Sequence, residues 1–365
     1  MSLLKSIFKK KEAPIQSYAD FWNWFQKNEK SFFKCVKNAD EIEKNFFDKL
    51  SPRLNELQEG FYFLTGMYND TTAELIITIE GVVKNIVFAE ELIAAAPKIK
   101  GWKFTSLRPE SALENANISM GGYKFNDETI SFYPNMNPEY PDNIDITLVH
   151  KHYSEENKDI IINGSYIFLD TYLGDLNSLT TIDNINIVDK PEPGVEPIPI
   201  EKLKSFLIWR EKEFREKYDG VRHNTENDGY SIIEAKYQSG YKMLAAINTD
   251  LLSWDAKASH PWIATVSIEY NGERNNGMPD EETSPLLYDI ENAIMAELKD
   301  YEGYLNIGRQ TAKGQREIYF ACKEFRKPAK VLQKFETYFS GKMKVSFTLY
   351  KDKYWQSFDR FISDN

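Results

Sequence analysis

The segment Trp262-Ile-Ala-Thr-Val-Ser-Ile-Glu-Tyr270 has the composition and alternation of a strand, and the elements after it come in a telling order. Ser284 to Leu298 carries Leu287, Ile290, Ile294 and Leu298 at helical spacing, with Pro285 suited to the first turn. Tyr304 to Thr311 and Gln315 to Cys322 are two further strands, joined by Ala312-Lys313-Gly314, which reads as a three-residue hairpin loop. Pro328 opens a helix bearing Val331, Leu332 and Phe335, Lys344 to Tyr350 is the last strand, and a short helix over Tyr354 to Phe361 ends the chain. From Trp262 onward the order is β-α-β-β-α-β, a ferredoxin-like arrangement.

Working back toward the N-terminus, Ser231 to Tyr237 and Met243 to Asn248 form a hairpin across Ser239-Gly240, and Ile200 to Tyr218 is a charged helix that could pack on either domain. Ahead of it lies Lys190-Pro-Glu-Pro-Gly-Val-Glu-Pro-Ile-Pro199, whose four prolines have little capacity for a hydrogen-bonded ladder. The expected division is therefore an N-terminal domain over 1–190, a linker over 191–199 and a C-terminal domain over 200–365, an α+β protein in two domains. The N-terminal domain reads as helices followed by a mainly antiparallel sheet. Phe21, Trp22, Phe25, Phe32 and Phe33 are spaced as a helix face, Asp40-x-x-Glu43 resembles a capping box for a second helix bearing Ile42, Phe46 and Leu50, and Pro52 suggests a third turn. Phe61 to Met67, Ala73 to Ile79 and Val82 to Phe88 then read as a meander, followed by a short helix to Ala96, strands at Gly101 to Leu107, Gly122 to Phe125, Ile130 to Tyr133 and Ile144 to His150, a helix from Ser154 to about Leu173, and a strand from Thr180 to Val188.

Composition narrows the function classes. The 42% hydrophobic and 14% aromatic content is that of a globular chain with a sizeable core, and the net charge of −11 repels phosphate backbones, so nucleic-acid binding is not expected. No run approaches the ~20 apolar residues of a membrane span. The basic start with Lys5, Lys9, Lys10 and Lys11 has too short and broken an apolar stretch for an export signal, and the two distant cysteines, Cys35 and Cys322, read as buried thiols of a cytoplasmic protein.

The strand at Trp262 to Tyr270, the loop Asn275-Asn276-Gly277-Met278-Pro279, the hairpin Ile307-Gly308-Arg309-Gln310-Thr311 with Gly314 to Phe320, and the closing Asp352-x-x-Trp355 together resemble the bacterial "domain of unknown function 695" family over about residues 220 to 365. That resemblance implies no established activity. Some members of the family resemble ribonuclease E inhibitor-type domains, which implies a ferredoxin-like fold and an inhibitory or interaction role.

Catalytic chemistry has few footholds. Gly-x-Ser-x-Gly, His-Glu-x-x-His, Walker and Gly-x-Gly-x-x-Gly patterns do not occur, and neither a cofactor nor a metal is expected. His150 and His152 would supply half a metal site at most, while His223 and His260 lie in the other domain. Ser259 and His260 are adjacent, and as strand neighbours they would point to opposite faces. The strongest binding candidates are Arg309 and Thr311 on one strand of the hairpin and Glu317 and Tyr319 on the other, with Asn276 on a rim and His260 nearby. The alternative for the same group is a structural Arg309–Glu317 pair across a solvated sheet face.

Two functions from different classes fit these residues: a non-enzymatic regulatory or interaction module that binds an unknown protein partner through the sheet face, or a small-molecule-binding protein or hydrolase-type enzyme with its site on that face or between the domains. A homodimer through the same sheet is a third arrangement.

Overall fold

The computed structural model describes residues 13–39 and 41–362. Asp40 of the expected capping box, and the four basic lysines near the start, lie outside those residues. The chain forms two compact units, 1–109 and 110–365.

In the first unit, α1 (Tyr18–Asn38) and α2 (Asp48–Leu57) flank a π-helical turn at Glu43–Phe47. Pro52 lies inside α2 rather than starting a new turn. Strands β1 (Tyr62–Asn69) and β2 (Thr72–Thr78) form an antiparallel hairpin. The expected third strand of a meander is instead the start of α3 (Ile86–Ala94), and β3 (Trp102–Ser106) pairs parallel to β2. From Val82 to Leu92 the apolar residues form blocks, Val82-Val83 and Ile86 to Ala89, broken by Lys84-Asn85 and Glu90-Glu91, so strict strand alternation is missing. A parallel pair needs a crossover connection, and α3 supplies it by burying Ile86, Val87, Phe88, Ala89 and Leu92. Phe21, Phe25, Phe32 and Phe46 are fully or almost fully buried here.

The second unit holds two larger sheets. A small hairpin of β4 (Ile118–Met120) and β5 (Tyr123–Phe125) precedes β6 (Ile130–Asn135) and β7 (Asp145–His150). Next come α4 (Lys158–Leu173), α5 (Asp175–Thr181), β8 (Asn184–Val188), β9 (Ile198–Pro199) and α6 (Leu203–Lys217). The order in this sheet is β8-β7-β6-β9. Helix α4 starts later than Ser154 because the Asn157 side chain holds the Ser154 N–H and the His152 carbonyl in a turn. The strand expected from Thr180 starts only at Asn184, since α5 runs through Thr181.

Helix α6 belongs to this sheet, with Leu203 and Leu207 in one core with Phe132, Phe168 and Leu169. The proline-rich stretch, expected as the boundary, ends by pairing Ile198 and Pro199 with Phe132 and Ser131, a two-residue edge contact that tolerates a missing donor. The compact units divide at Pro109/Glu110 instead.

The second sheet has six strands: β10 (Tyr230–Lys236), β11 (Lys242–Asn248), β12 (Trp262–Glu269), β13 (Tyr304–Ala312), β14 (Gln315–Cys322) and β15 (Lys344–Lys351). Their order is β10-β11-β13-β14-β12-β15, and every pairing is antiparallel. The short α7 (Thr249–Leu252) follows β11. Helices α8 (Thr283–Glu297) and α9 (Arg326–Phe339) cover one face, α8 through Leu287, Ile290 and Ile294 and α9 through Ala329, Val331 and Leu332. The other face buries Ile247, Ile263, Leu305, Ile307 and Tyr319 beneath Trp355, Phe358 and Phe361 of the C-terminal turn.

A charged clasp joins the two sheets. Asp142 accepts from Lys217 Nζ at 2.7 Å and from the hydroxyls of Tyr218 and Tyr354, both at 2.7 Å. Burial alone would raise this carboxyl, but those hydrogen bonds bring it below the usual range. Lys353 Nζ donates to the Asp142 carbonyl and to Asp183, each at 2.7 Å, and Lys351 reaches Asp183 at 2.8 Å.

Candidate functional site

Two local features of the β13–β14 hairpin decide where its polar side chains go. The loop contains two residues, not three: Lys313 and Gly314 both have positive φ, 51° and 76°, and Ala312 pairs with Gln315. This is the type I′ geometry that suits the strand twist. It shifts the register by one near the tip, so that Arg309 lies opposite Ile318 and Thr311 opposite Arg316. Farther along, a β-bulge at Ile307 absorbs the extra residue, and Asn306 pairs with Phe320 as a three-residue loop would require.

The one-residue slip separates the expected group of four, because neighbours along a strand face opposite ways. Arg309 and Thr311 face α8. Glu317 and Tyr319 face the C-terminal turn, where the Tyr319 hydroxyl donates to Glu317 Oε2 at 2.7 Å and Arg360 reaches that hydroxyl at 3.3 Å. Tyr319 is 2% exposed, so this face is covered and not open. Burial, reinforced by Glu317, pushes its phenol far up. No Arg309–Glu317 pair forms, and Glu317 is shared instead with Gln310 across the strands at 3.5 Å.

On the α8 side the bulge brings Asn306 and Arg309, three residues apart, onto one carboxylate. Arg309 Nη1 donates to both oxygens of Glu291 at 3.2 Å, and Asn306 Nδ2 donates to Oε1 at 3.3 Å. Glu291 is 4% exposed. The guanidiniums of Arg309 and Arg316 each lie 4.7 Å from the centre of the Tyr288 ring, and Arg316 Nε donates to the Thr311 hydroxyl at 3.0 Å. Arg316 is buried with Nη1 unpartnered, and that burial draws its guanidinium below the usual range. Two cations thus share one buried anion, and the exposed edge of Tyr288 caps them.

Sequence reading missed Glu291 and Tyr288. A signal existed: Glu291 sits four residues after Leu287 and three before Ile294, a charge on the inward stripe of an otherwise apolar helix face.

Asn276 adopts a left-handed conformation in the loop before α8, and this loop is clasped to the hairpin tip. The Gly277 carbonyl accepts from Gly314 N–H and from the Tyr270 hydroxyl, both at 2.9 Å.

His260 is fully buried, and it does meet Ser259: the hydroxyl lies 2.8 Å from Nδ1. The opposite-face argument fails because Lys257–Ser259 is a 3-10 turn, not a strand. Nε2 of His260 has no partner, and burial, with Arg222 and Lys323 adding positive charge, pulls the imidazole down to about 4. The neutral ring lies 5.5 Å from that of Trp254, tilted by 56°, and Trp355 Nε1 donates to the His260 carbonyl at 2.9 Å, an interior role. His150 is likewise buried, with Nε2 3.0 Å from the Lys124 carbonyl. Cys35 and Cys322 are both buried thiols outside any disulfide, and burial drives Cys322 well above its ordinary value.

Residues 240–363 match the family of unknown function DUF695. No curated protein and no solved structure matches the chain. The DUF695 match takes in Glu291, Asn306, Arg309, Thr311 and Arg316, and with them the whole Tyr288 cluster. It leaves out β10, Asp142 and Asp183. Among the described residues no helix is long and apolar enough to cross a membrane.

Proposed function

We propose that the C-terminal region is a non-enzymatic interaction module with a ferredoxin-like core, which binds an extended segment of a partner protein as an added strand along β10. Numbering the four strands from Trp262 onward as first to fourth, the spatial order second, third, first, fourth supports the core assignment, with α8 and α9 on one face. The two buried cysteines, neither of them in a disulfide, agree with a reducing, cytoplasmic setting.

The observation that carries the binding proposal is the state of β10. It is the end strand of the six, and six of its seven residues are exposed. Hydrogen bonds from Thr249 N–H to the Gly229 carbonyl and from Tyr237 N–H to the Tyr241 carbonyl fix the alternation of the hairpin. Its odd-numbered residues bond to β11, so Tyr230, Ile232, Glu234 and Lys236 turn their N–H and C=O groups outward. Ile232 is 72% exposed and Tyr230 51%, next to Leu244 at 40%, on the same face as α8. An exposed apolar edge strand is what an incoming strand with apolar residues at alternate positions would bind, main chain to main chain.

Glu234→Pro tests this, because it removes one outward N–H and no native ladder bond. A random peptide library panned against the full chain is expected to enrich alternating apolar sequences. Binding of the enriched peptides should fall at least about tenfold in Glu234→Pro, while the melting temperature holds, and β10 amides should gain hydrogen-exchange protection in the wild-type complex. Equal binding by both proteins, or no enrichment at all, would sink the proposal. Sedimentation showing a dimer abolished by Glu234→Pro would assign the edge to a second copy instead.

A further inference from the structure

We infer that the groove between α8 and α9 is a docking site for an amphipathic helix of a partner protein, one with basic residues along one flank and acidic residues along the other. Both helices cover the same face of the six-stranded sheet, and the groove between them holds about 430 Å³. Ile290 and Val331 are buried at its base, while Leu286 and Ala293 of α8 line one wall and Phe335 and Tyr338 of α9 the other. Leu286, Ala293 and Tyr338 are exposed, Tyr338 to 66%.

The spacing of the lining is that of two helix stripes. On α8 the apolar residues Leu286, Ile290 and Ala293 follow one another at four and then three positions, and on α9 Val331, Phe335 and Tyr338 do the same. Two such stripes side by side leave a channel that the side-chain ridge of a third helix fills. A small molecule in so open a channel would keep one side in water, whereas a helix lying along it covers both stripes at once. Ala293 is the smallest lining residue, and it lets a partner backbone come close at mid-groove.

Charge selects among helices. The α8 wall carries Asp289 and Glu297, one turn to either side of Ala293, and the α9 wall carries Lys334. Lys342 adds a second cation on the α9 side, its ammonium 4.6 Å from the centre of the Tyr338 ring. Asp289, Glu297 and Lys334 have no hydrogen-bond or ion-pair partner among the described residues, and Glu297 acts on Lys299 only through space. Acid on one wall and base on the other is complementary to a helix with Lys or Arg on the flank toward α8 and Glu or Asp on the flank toward α9, as flanking charges set partner choice in coiled coils. Exposed pairs of this kind add little affinity, so they decide which helix binds and in which direction more than how tightly. The groove shares no lining residue with β10 or with the Glu291 cluster, so it is separate from the edge-strand site.

Fluorescence anisotropy on the full chain would use a labelled helical peptide about 16 residues long, with leucine at i, i+3 and i+7, lysine on one flank and glutamate on the other. Two copies serve as controls, one with those leucines changed to serine and one with glutamate on both flanks. The mixed-charge peptide is expected to bind at least about tenfold more tightly than the serine copy and about threefold more tightly than the all-glutamate copy. Ala293→Arg fills the groove from an exposed position, and it should cost at least about tenfold in affinity with an unchanged melting temperature. An Asp289→Lys, Glu297→Lys double variant should reverse the preference and bind the all-glutamate peptide more tightly than the mixed-charge one. If Ala293→Arg does not fold, the double variant carries the test, because both of its positions are exposed. A mixed-charge peptide that binds no better than its serine copy, binding indifferent to Ala293→Arg, or a preference unchanged by the charge reversal would each overturn the inference. So would a dimer in sedimentation that Ala293→Arg dissociates, which would assign the groove to a second copy of the chain.

Discussion

Gly308→Ala is expected to destabilise the second unit by about 3 kcal/mol or more, and to lower its melting temperature by roughly 10 °C. Gly308 follows the bulge residue with φ of 134°, a conformation L side chains rarely adopt, and a Cβ built there falls 2.2 Å from the Ala246 carbonyl oxygen and 2.9 Å from Ile247 Cα. Both obstacles are backbone of the adjoining strand, so no rotamer change relieves them. Gly66 is the matched control: it also lies in a strand, but a Cβ there meets nothing within 4 Å. Gly66→Ala should therefore be neutral or slightly stabilising. Calorimetry of both variants decides the matter, and a Gly308→Ala protein melting within a degree or two of the wild type would mean that the bulge is not needed to hold the strand. Because the same bulge places Asn306 and Arg309 on Glu291, the variant should also expose the Tyr288 ring further, visible as a change in tyrosine fluorescence.

The second large effect depends on pH. His260 is held down to about 4 in the folded chain by burial and by the nearby positive charge of Arg222 and Lys323, against an ordinary value of 6.5. Below 6.5 the unfolded chain takes up a proton that the folded chain refuses. The contribution to stability is therefore fully present above pH 6.5 and is lost as pH falls toward 4. The whole window corresponds to about 3 kcal/mol, of which about 2 kcal/mol should be gone by pH 5. Carboxylates such as Asp142 also weaken the fold in acid, so the test is differential. Urea unfolding at pH 7.5 and pH 5 should show a smaller drop in stability for His260→Asn than for the wild type, and identical drops would mean that the ring is protonated inside the fold.

The elements legible in sequence were those with an unambiguous period. The strand at Trp262, the helix carrying Leu287, Ile290 and Ile294, and both strands of the β13–β14 hairpin fall within a residue or two of where alternation and spacing place them. Errors arose where the period vanished. The apolar blocks from Val82 onward, Val82-Val83 and Ile86 to Ala89, satisfy a buried helix as well as a short strand, and the parallel pairing of β2 with β3 decides between them.

The candidate site was harder for a different reason. Its residue types were visible, but their faces depended on one residue of loop length and one bulge. Sequence offers no local signal for either beyond Gly314 and Gly308. The buried partner, Glu291, belongs to a helix read only for its apolar stripe. The Ser259–His260 contact was missed because a single 3-10 turn replaces the extended backbone that alternation assumes.

The clasp at Asp142 and Asp183 bears on what counts as the heritable piece of this protein. The DUF695 match spans 240–363, yet Lys351, Lys353 and Tyr354 inside it are satisfied by Asp142, Asp183 and the carbonyls of Thr180 and Thr181, all outside it. A fragment cut at the limits of the match would strand a buried ammonium without its counter-charge and lay bare the flank of β11 where β10 had been. The stretch that the family match covers is thus smaller than the stretch within which these buried charges are satisfied.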